Sequence, residues 1–134
     1  MKQEEHNEQV ALFRWATLAA GRYPELALLF AVPNGGRRDA VTGARLKAEG
    51  VKAGVPDIWL PVARCGYHGL VIELKAPRGR ASREQRAWIG ALEEQGWLAA
   101  VCVGAEAARK LLDQYLGGTY HKNGDSCQIV SSDT

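Results

Sequence analysis

The alternation of apolar and polar residues divides the chain into short elements. An apolar stripe at helical spacing runs through residues 3–20, and continuous apolar runs of strand length follow it. Ser82 and Gln85 have the spacing of a capping box, which opens the clearest helix, and Gly96 closes it. The pattern predicts helices over residues 3–20, 38–49, 82–96 and 105–116, and strands over residues 26–32, 57–62, 69–75 and 97–103. This order favours an α/β fold, a mixed central sheet flanked by helices.

Length and composition point to one folded unit. The 134 residues suit a single core, and 46% hydrophobic and 24% charged positions are near the globular average. We expect one domain over residues 1–117 and a polar tail over residues 118–134. A charged N-terminal segment without the apolar core of a signal peptide predicts a cytoplasmic protein, in which Cys65, Cys102 and Cys127 fit reduced thiols.

Charge is unevenly distributed along the chain. Residues 37–86 carry eleven Lys or Arg against five Asp or Glu, a sum of +6, although the whole chain has a net charge of only +2. A basic segment in a near-neutral chain indicates either a face that meets a polyanion or an ordinary solvated surface.

Two predicted strands carry the residues that are best suited to catalysis or metal binding. Glu73 and Lys75 are two positions apart near the end of the apolar run 69–75, so they share one face of that strand. Asp57 follows Pro56 at the entry of the neighbouring strand, and pairing of the two strands would bring Asp57 to Glu73. Two converging carboxylates would repel each other unless a cation joined them, and oxygen ligands suit Mg²⁺ or Mn²⁺. Phosphodiester hydrolysis is the natural use of such a set, while an exposed strand end with an ion pair is the plain alternative.

The first helix offers a third carboxylate. At about 100° per residue, Glu5 lies roughly 25° from the inward direction and Glu8 roughly 85° from it. Glu5 is therefore the acid directed at the core, although acids in the first turn can also merely complement the helix dipole.

These residues resemble a known signature. Pro56-Asp57 followed by Glu73-Leu74-Lys75 is similar to the motif of the PD-(D/E)XK nuclease superfamily. The wider context, over most of residues 5–116, resembles the VRR-NUC branch and looks like a small stand-alone member of phage or prophage type. That context consists of the run 46–58, Pro33-Asn34-Gly35-Gly36 before it, and Gly79, Ser82, Gln85 and Trp88 after it.

The resemblance implies a restriction-endonuclease-like αβββαβ core and a divalent-metal-dependent DNA endonuclease that leaves 5′-phosphate and 3′-hydroxyl ends. Asp57, Glu73, the Leu74 carbonyl and Glu5 would bind Mg²⁺ or Mn²⁺, and Lys75 would position the attacking water. Gln85 would support the site. This role competes with its place in the capping box, because we expect one side chain to serve only one of the two well.

DNA is the partner that the resemblance implies, with four-way junctions or other branched forms as substrates and a homodimer as the assembly. The basic residues that flank the proposed site are the expected phosphate contacts: Arg37, Arg38, Arg45, Lys47, Lys52, Arg78, Arg80 and Arg83. A DNA-binding module without turnover and a sequence-specific restriction-type nuclease remain the alternatives. No nucleotide cofactor and no membrane partner are expected.

Overall fold

A four-stranded mixed sheet organises residues 2–33 and 39–122, which are the residues that the computed structural model describes. The strand order is β1-β2-β3-β4, with β1 and β2 antiparallel, β2 and β3 antiparallel, and β3 and β4 parallel. The elements in chain order are α1 (Lys2–Ala19), a 3-10 helix (Pro24–Leu28), β1 (Phe30–Ala31), α2 (Ala40–Ala48), β2 (Ile58–Leu60), β3 (Leu70–Lys75), α3 (Arg83–Glu94), β4 (Leu98–Val103) and α4 (Ala105–Leu116). The α/β fold predicted from the hydrophobic pattern is confirmed.

Strand β3 lies in the interior of the sheet and is buried almost throughout. Its even-numbered residues, Leu70, Ile72 and Leu74, join the hydrophobic core with apolar residues of α1 and α4. Because side chains alternate along a strand, the odd-numbered residues Glu73 and Lys75 face away from this core. The fold therefore places two charged groups on the strand with the least contact with solvent.

The predicted strand over residues 26–32 is mostly wrong. Pro24 starts a 3-10 helix, and only Phe30–Ala31 pairs with β2. Leu26 and Leu29, three residues apart, are both buried, whereas Leu28 is exposed. A spacing of three matches the 3-10 repeat, so this apolar run packs as a helical turn and not as an alternating strand.

The hairpin predicted between β2 and β3 is confirmed. At its tip, Cys65 and Gly66 have φ angles of 54° and 82°, as the central residues of a type I′ turn require, and Tyr67 N–H donates to the Arg64 carbonyl. Cys102 is a buried free thiol, as expected. Cys127 lies outside the described residues.

The parallel pairing of β3 and β4 includes one very close approach. A Cβ atom built on Gly69 would lie 2.4 Å from Cζ3 of Trp97, so the indole occupies the space that any side chain at position 69 would need. Trp97 also packs edge-on against Trp59, with ring centroids 5.3 Å apart. Among the described residues, no helix combines the length and the apolar character needed to cross a membrane.

Candidate active site

Glu73 is the one charged residue that is buried in the described part of the chain, with an exposed fraction of 1%. Its Oε2 accepts a hydrogen bond from Nε2 of Gln85 at 3.0 Å. Its Oε1 is buried and has no hydrogen-bond partner among the described residues. A buried polar atom without a partner is costly, so this oxygen is suited to receiving a proton or a cation.

Asp57 lies beside Glu73, as the strand positions predicted. The antiparallel pairing of β2 and β3 runs through Ile58 and Ile72, which places Asp57 opposite Glu73 one residue further along. Oδ2 of Asp57 accepts a hydrogen bond from the Leu74 N–H at 3.1 Å. Burial raises the pKa of Glu73 to about 9, and the neighbouring Asp57 carboxyl group acts in the same direction. The two carboxyl groups thus share a position where a proton or cation is needed.

Lys75 bridges two acids from different parts of the chain. Its Nζ is 3.8 Å from Oε2 of Glu73 and 3.8 Å from Oε1 of Glu5 on α1. Its side chain has an exposed fraction of only 12%. The ammonium group is therefore held at the edge of the carboxylate pair, where it can orient a water molecule or offset negative charge.

Glu8 has a different partner from Glu5. Its Oε2 accepts a hydrogen bond from the Ala105 N–H at 2.5 Å, at the first residue of α4. Gly104, the residue before this helix, has no side chain that could cap it. Glu8 therefore serves as the cap of α4, and Glu5 is the acid of α1 that reaches the site. Nothing in the sequence pattern identified this cap, because it joins residues 97 positions apart.

Gln85 serves both of the roles that were expected to compete. Its Oε1 accepts from the Ser82 N–H at 2.7 Å and its own N–H donates to Ser82 Oγ, which completes the capping box. The same side chain donates from Nε2 to Glu73. The expectation that one role excludes the other is wrong, because an amide has an acceptor at one end and a donor at the other.

The donor set fits a hard divalent cation in part. Asp57 and Glu73 supply carboxylate oxygens at one point, next to the Leu74 backbone, and oxygen ligands of this kind suit Mg²⁺ or Mn²⁺. No three side chains among His, Cys, Asp and Glu converge as a ready-made metal site within residues 2–33 and 39–122. Glu5 lies instead next to Lys75. Its predicted role as a metal ligand stays a prediction.

An open groove of about 760 Å³ lies between α2, the loop that follows it and the start of α3. Lys47 and Lys52 line it from α2 and the following loop, and Gln85 lines it from α3. Gln85 also donates a hydrogen bond to Glu73 and so connects the groove to the site, although Asp57, Glu73 and Lys75 do not line the groove. The loop is fixed on α3 by a hydrogen bond from Trp88 Nε1 to the Ala53 carbonyl at 3.1 Å, a contact that the apolar spacing of Trp88 did not predict.

The other predicted DNA contacts that the structure describes lie on α2 and on the segment between β3 and α3. Arg45 is exposed on the last turn of α2, close in sequence to Lys47. Arg78, Arg80 and Arg83 are exposed between the end of β3 and the start of α3. Arg37 and Arg38 lie outside the described residues.

Comparison with known proteins agrees with this geometry. Residues 13–106 match the model of the VRR-NUC domain, a stretch that includes Asp57, Glu73, Lys75 and Gln85 but not Glu5. A solved structure described as a VRR-NUC domain protein is 28% identical to the chain, with a TM-score of 0.72, over 85% of this chain and 88% of that one. No curated protein matches the chain. The chain belongs to the VRR-NUC domain family, nucleases of the PD-(D/E)XK type.

Proposed function

We propose that the chain is a divalent-metal-dependent endodeoxyribonuclease. The observation that carries this proposal is the carboxyl group of the buried Glu73. Its Oε1 has no hydrogen-bond partner among the described residues, Asp57 lies beside it, and its Oε2 is 3.8 Å from Nζ of Lys75. In folding terms a buried carboxyl group with an unpartnered oxygen is unfavourable, and an apolar residue at position 73 would serve the sheet better. The retention of this carboxyl group next to a groove lined by lysines supports a role in binding a cation and a phosphate.

Each residue of the site has a distinct task in this proposal. Asp57 and Glu73 hold Mg²⁺ or Mn²⁺, which supplies Lewis-acid polarisation of the scissile phosphate and a lowered water pKa. Lys75 orients the attacking water and offsets charge that develops on the phosphate. Glu5 keeps the Lys75 ammonium in place through their contact at 3.8 Å. Water attacks phosphorus and loses a proton, the bond to the 3′ oxygen breaks, and that oxygen takes up one proton, so that 3′-hydroxyl and 5′-phosphate ends remain.

We further propose that branched DNA, such as a four-way junction, is the preferred substrate and that a homodimer makes the paired cuts. The chain carries one set of site residues, so symmetric cleavage of two strands needs a second copy. The groove supports contact with a DNA backbone, because Lys47 and Lys52 line it and offer phosphate contacts that carry no base information.

The test uses labelled four-way junction, flap and linear duplex DNA with Mg²⁺, Mn²⁺ or EDTA. We expect metal-dependent cutting, fastest on the branched forms, and its loss in Glu73→Gln, which keeps the shape of the side chain. Sedimentation of the wild-type protein with junction DNA should show two copies per junction. Equal rates on linear duplex would contradict the substrate preference, and one copy per junction would contradict paired cleavage.

A Lys75→Ala variant separates an enzyme from a binding module. We expect cutting to fall by about two orders of magnitude or more, while affinity for DNA in EDTA changes by only a few-fold. Tight, metal-independent DNA binding by a wild-type protein that does not cut would favour the binding module instead.

A further inference from the structure

Arg78 occupies a backbone conformation that glycine adopts far more readily than arginine. The Gly79 N–H donates to the Ala76 carbonyl at 2.8 Å, which closes a four-residue turn directly after Lys75. Pro77 takes the second position and Arg78 the third, where its φ angle is +72°. This matches a type II turn, in which the third residue is usually Gly or Asn.

Glycine stands one position later, for a different reason. A Cβ atom on Gly79 would lie 3.0 Å from the Ala76 carbonyl oxygen and 3.2 Å from Cβ of Lys75. The turn therefore folds back against Lys75, and position 79 favours a glycine because a side chain there would be crowded. Position 78 needs one for conformation but has an arginine.

The folded chain gains little from the Arg78 side chain. It is exposed, and it makes no ion pair with any residue in the described ranges. A residue held in the left-handed region at the edge of a site is a sign of a functional constraint when the fold itself does not benefit from it.

We propose that Arg78 is a substrate-binding residue that holds a DNA phosphate next to the one that is cut, at the expense of fold stability. The inference rests on the proposed function for the position of the scissile phosphate. Arg78 follows Lys75 by three residues in this turn, and its planar guanidinium can bind a phosphate through two parallel hydrogen bonds. The strain in the turn is thus compensated in the complex with DNA and not in the free protein.

The test compares Arg78→Gly with Arg80→Gly. Both variants remove an exposed arginine from the same segment, but Arg80 does not have a positive φ angle. We expect Arg78→Gly to raise the midpoint of thermal unfolding by about 2–4 °C, because it relieves the turn. Its kcat/KM for labelled junction DNA should fall about tenfold or more. Arg80→Gly removes another expected phosphate contact, so it should also weaken cutting, but it should not raise the unfolding midpoint.

Binding to labelled duplex in EDTA gives a readout that does not depend on cutting. There, Arg78→Gly should reduce the slope of log affinity against log salt by about one. If the wild-type protein does not cut at all, the proposed function fails, and the salt slope still decides whether Arg78 binds a phosphate. The inference is overturned if Arg78→Gly keeps the salt slope of the wild type, or if Arg78→Gly is no more stable than the wild type.

Discussion

The amide of Gln85 faces the carboxylate of Glu73 with its nitrogen and not with its oxygen. The oxygen is already engaged by the Ser82 N–H at 2.7 Å, so the start of α3 determines which end of the amide points to the buried acid at 3.0 Å. A capping box accepts Glu or Gln equally well at this position. Only Gln can also donate to a carboxylate, which accounts for the choice between them.

Replacement of Gln85 by Glu should separate the two roles. The variant keeps an acceptor for the Ser82 N–H but places a carboxylate against Glu73 in place of a donor. We expect cutting, or apparent affinity for Mg²⁺, to fall by about 10- to 100-fold, as when a hydrogen-bond partner of a metal ligand is lost. A magnesium titration of cleavage rate measures both. Far-ultraviolet circular dichroism should show unchanged helix content. If this variant cuts at the wild-type rate, Gln85 acts only as a cap of α3.

The stability of the metal-free protein should fall as the pH rises. The pKa of Glu73 is raised from 4.5 to about 9, so between these values the folded state binds a proton that the unfolded state has released. The free energy of unfolding then decreases with pH, by at most about 1.4 kcal/mol per pH unit. Urea denaturation in EDTA at pH 5, 7 and 9 measures this loss.

The matched variant for that measurement is Glu73→Gln, which cannot titrate. Its stability should depend less on pH over the same window. If the free energy of unfolding depends on pH in the same way in both proteins, Glu73 releases its proton near the ordinary pKa of a glutamate. Mg²⁺ should stabilise the wild-type protein most at high pH, because metal binding needs the deprotonated carboxylate.

Glu5 and Glu8 should give opposite results when each is replaced by Ala. Loss of Glu8 removes the cap of α4 and should lower the free energy of unfolding by about 1 kcal/mol, with little change in cutting by the folded protein. Loss of Glu5 should leave stability nearly unchanged and reduce cutting, because Lys75 loses its second carboxylate. Urea denaturation and cleavage of junction DNA, measured on both variants, test the pair. Greater loss of cutting in Glu8→Ala would reverse the assignment.

The loop that forms one wall of the groove depends on Gly54. Its φ angle is +83°, and a Cβ atom there would lie 2.7 Å from the backbone of Glu84 on α3. Gly50 also has a positive φ angle, +98°, but open space around it. We expect Gly50→Ala to lose about 1 kcal/mol of stability from conformation alone. Gly54→Ala should lose more, and should also bind duplex DNA more weakly because the wall is displaced. Equal effects of the two variants on binding would contradict this role.

Local sequence signals predicted most of the fold. They failed where contacts between residues distant in sequence determine the local structure. The capping box, the strand run that ends at Lys75 and the hairpin glycine each act over a few residues, so α3, β3 and the β2–β3 connection were predictable. The run over residues 26–32 was not, because its apolar content is the same for a strand and for a 3-10 turn. Pairing of strands brought Asp57 to Glu73 as expected, whereas the contact of Glu8 with Ala105 spans the chain and has no local signature.

The close approach of Gly69 to Trp97 has a consequence for genetics. A methyl group at position 69 would meet the indole at 2.4 Å, far from Glu73's hydrogen bonds, and would push β3 and β4 apart at the start of their pairing. Such overpacking typically removes a few kcal/mol of stability and leaves the reacting groups intact. Cells carrying Gly69→Ala would then have working protein when grown cool and lose it when warmed. The glycine therefore marks the position for a temperature-sensitive allele, with which the protein could be switched off at a chosen moment in living cells.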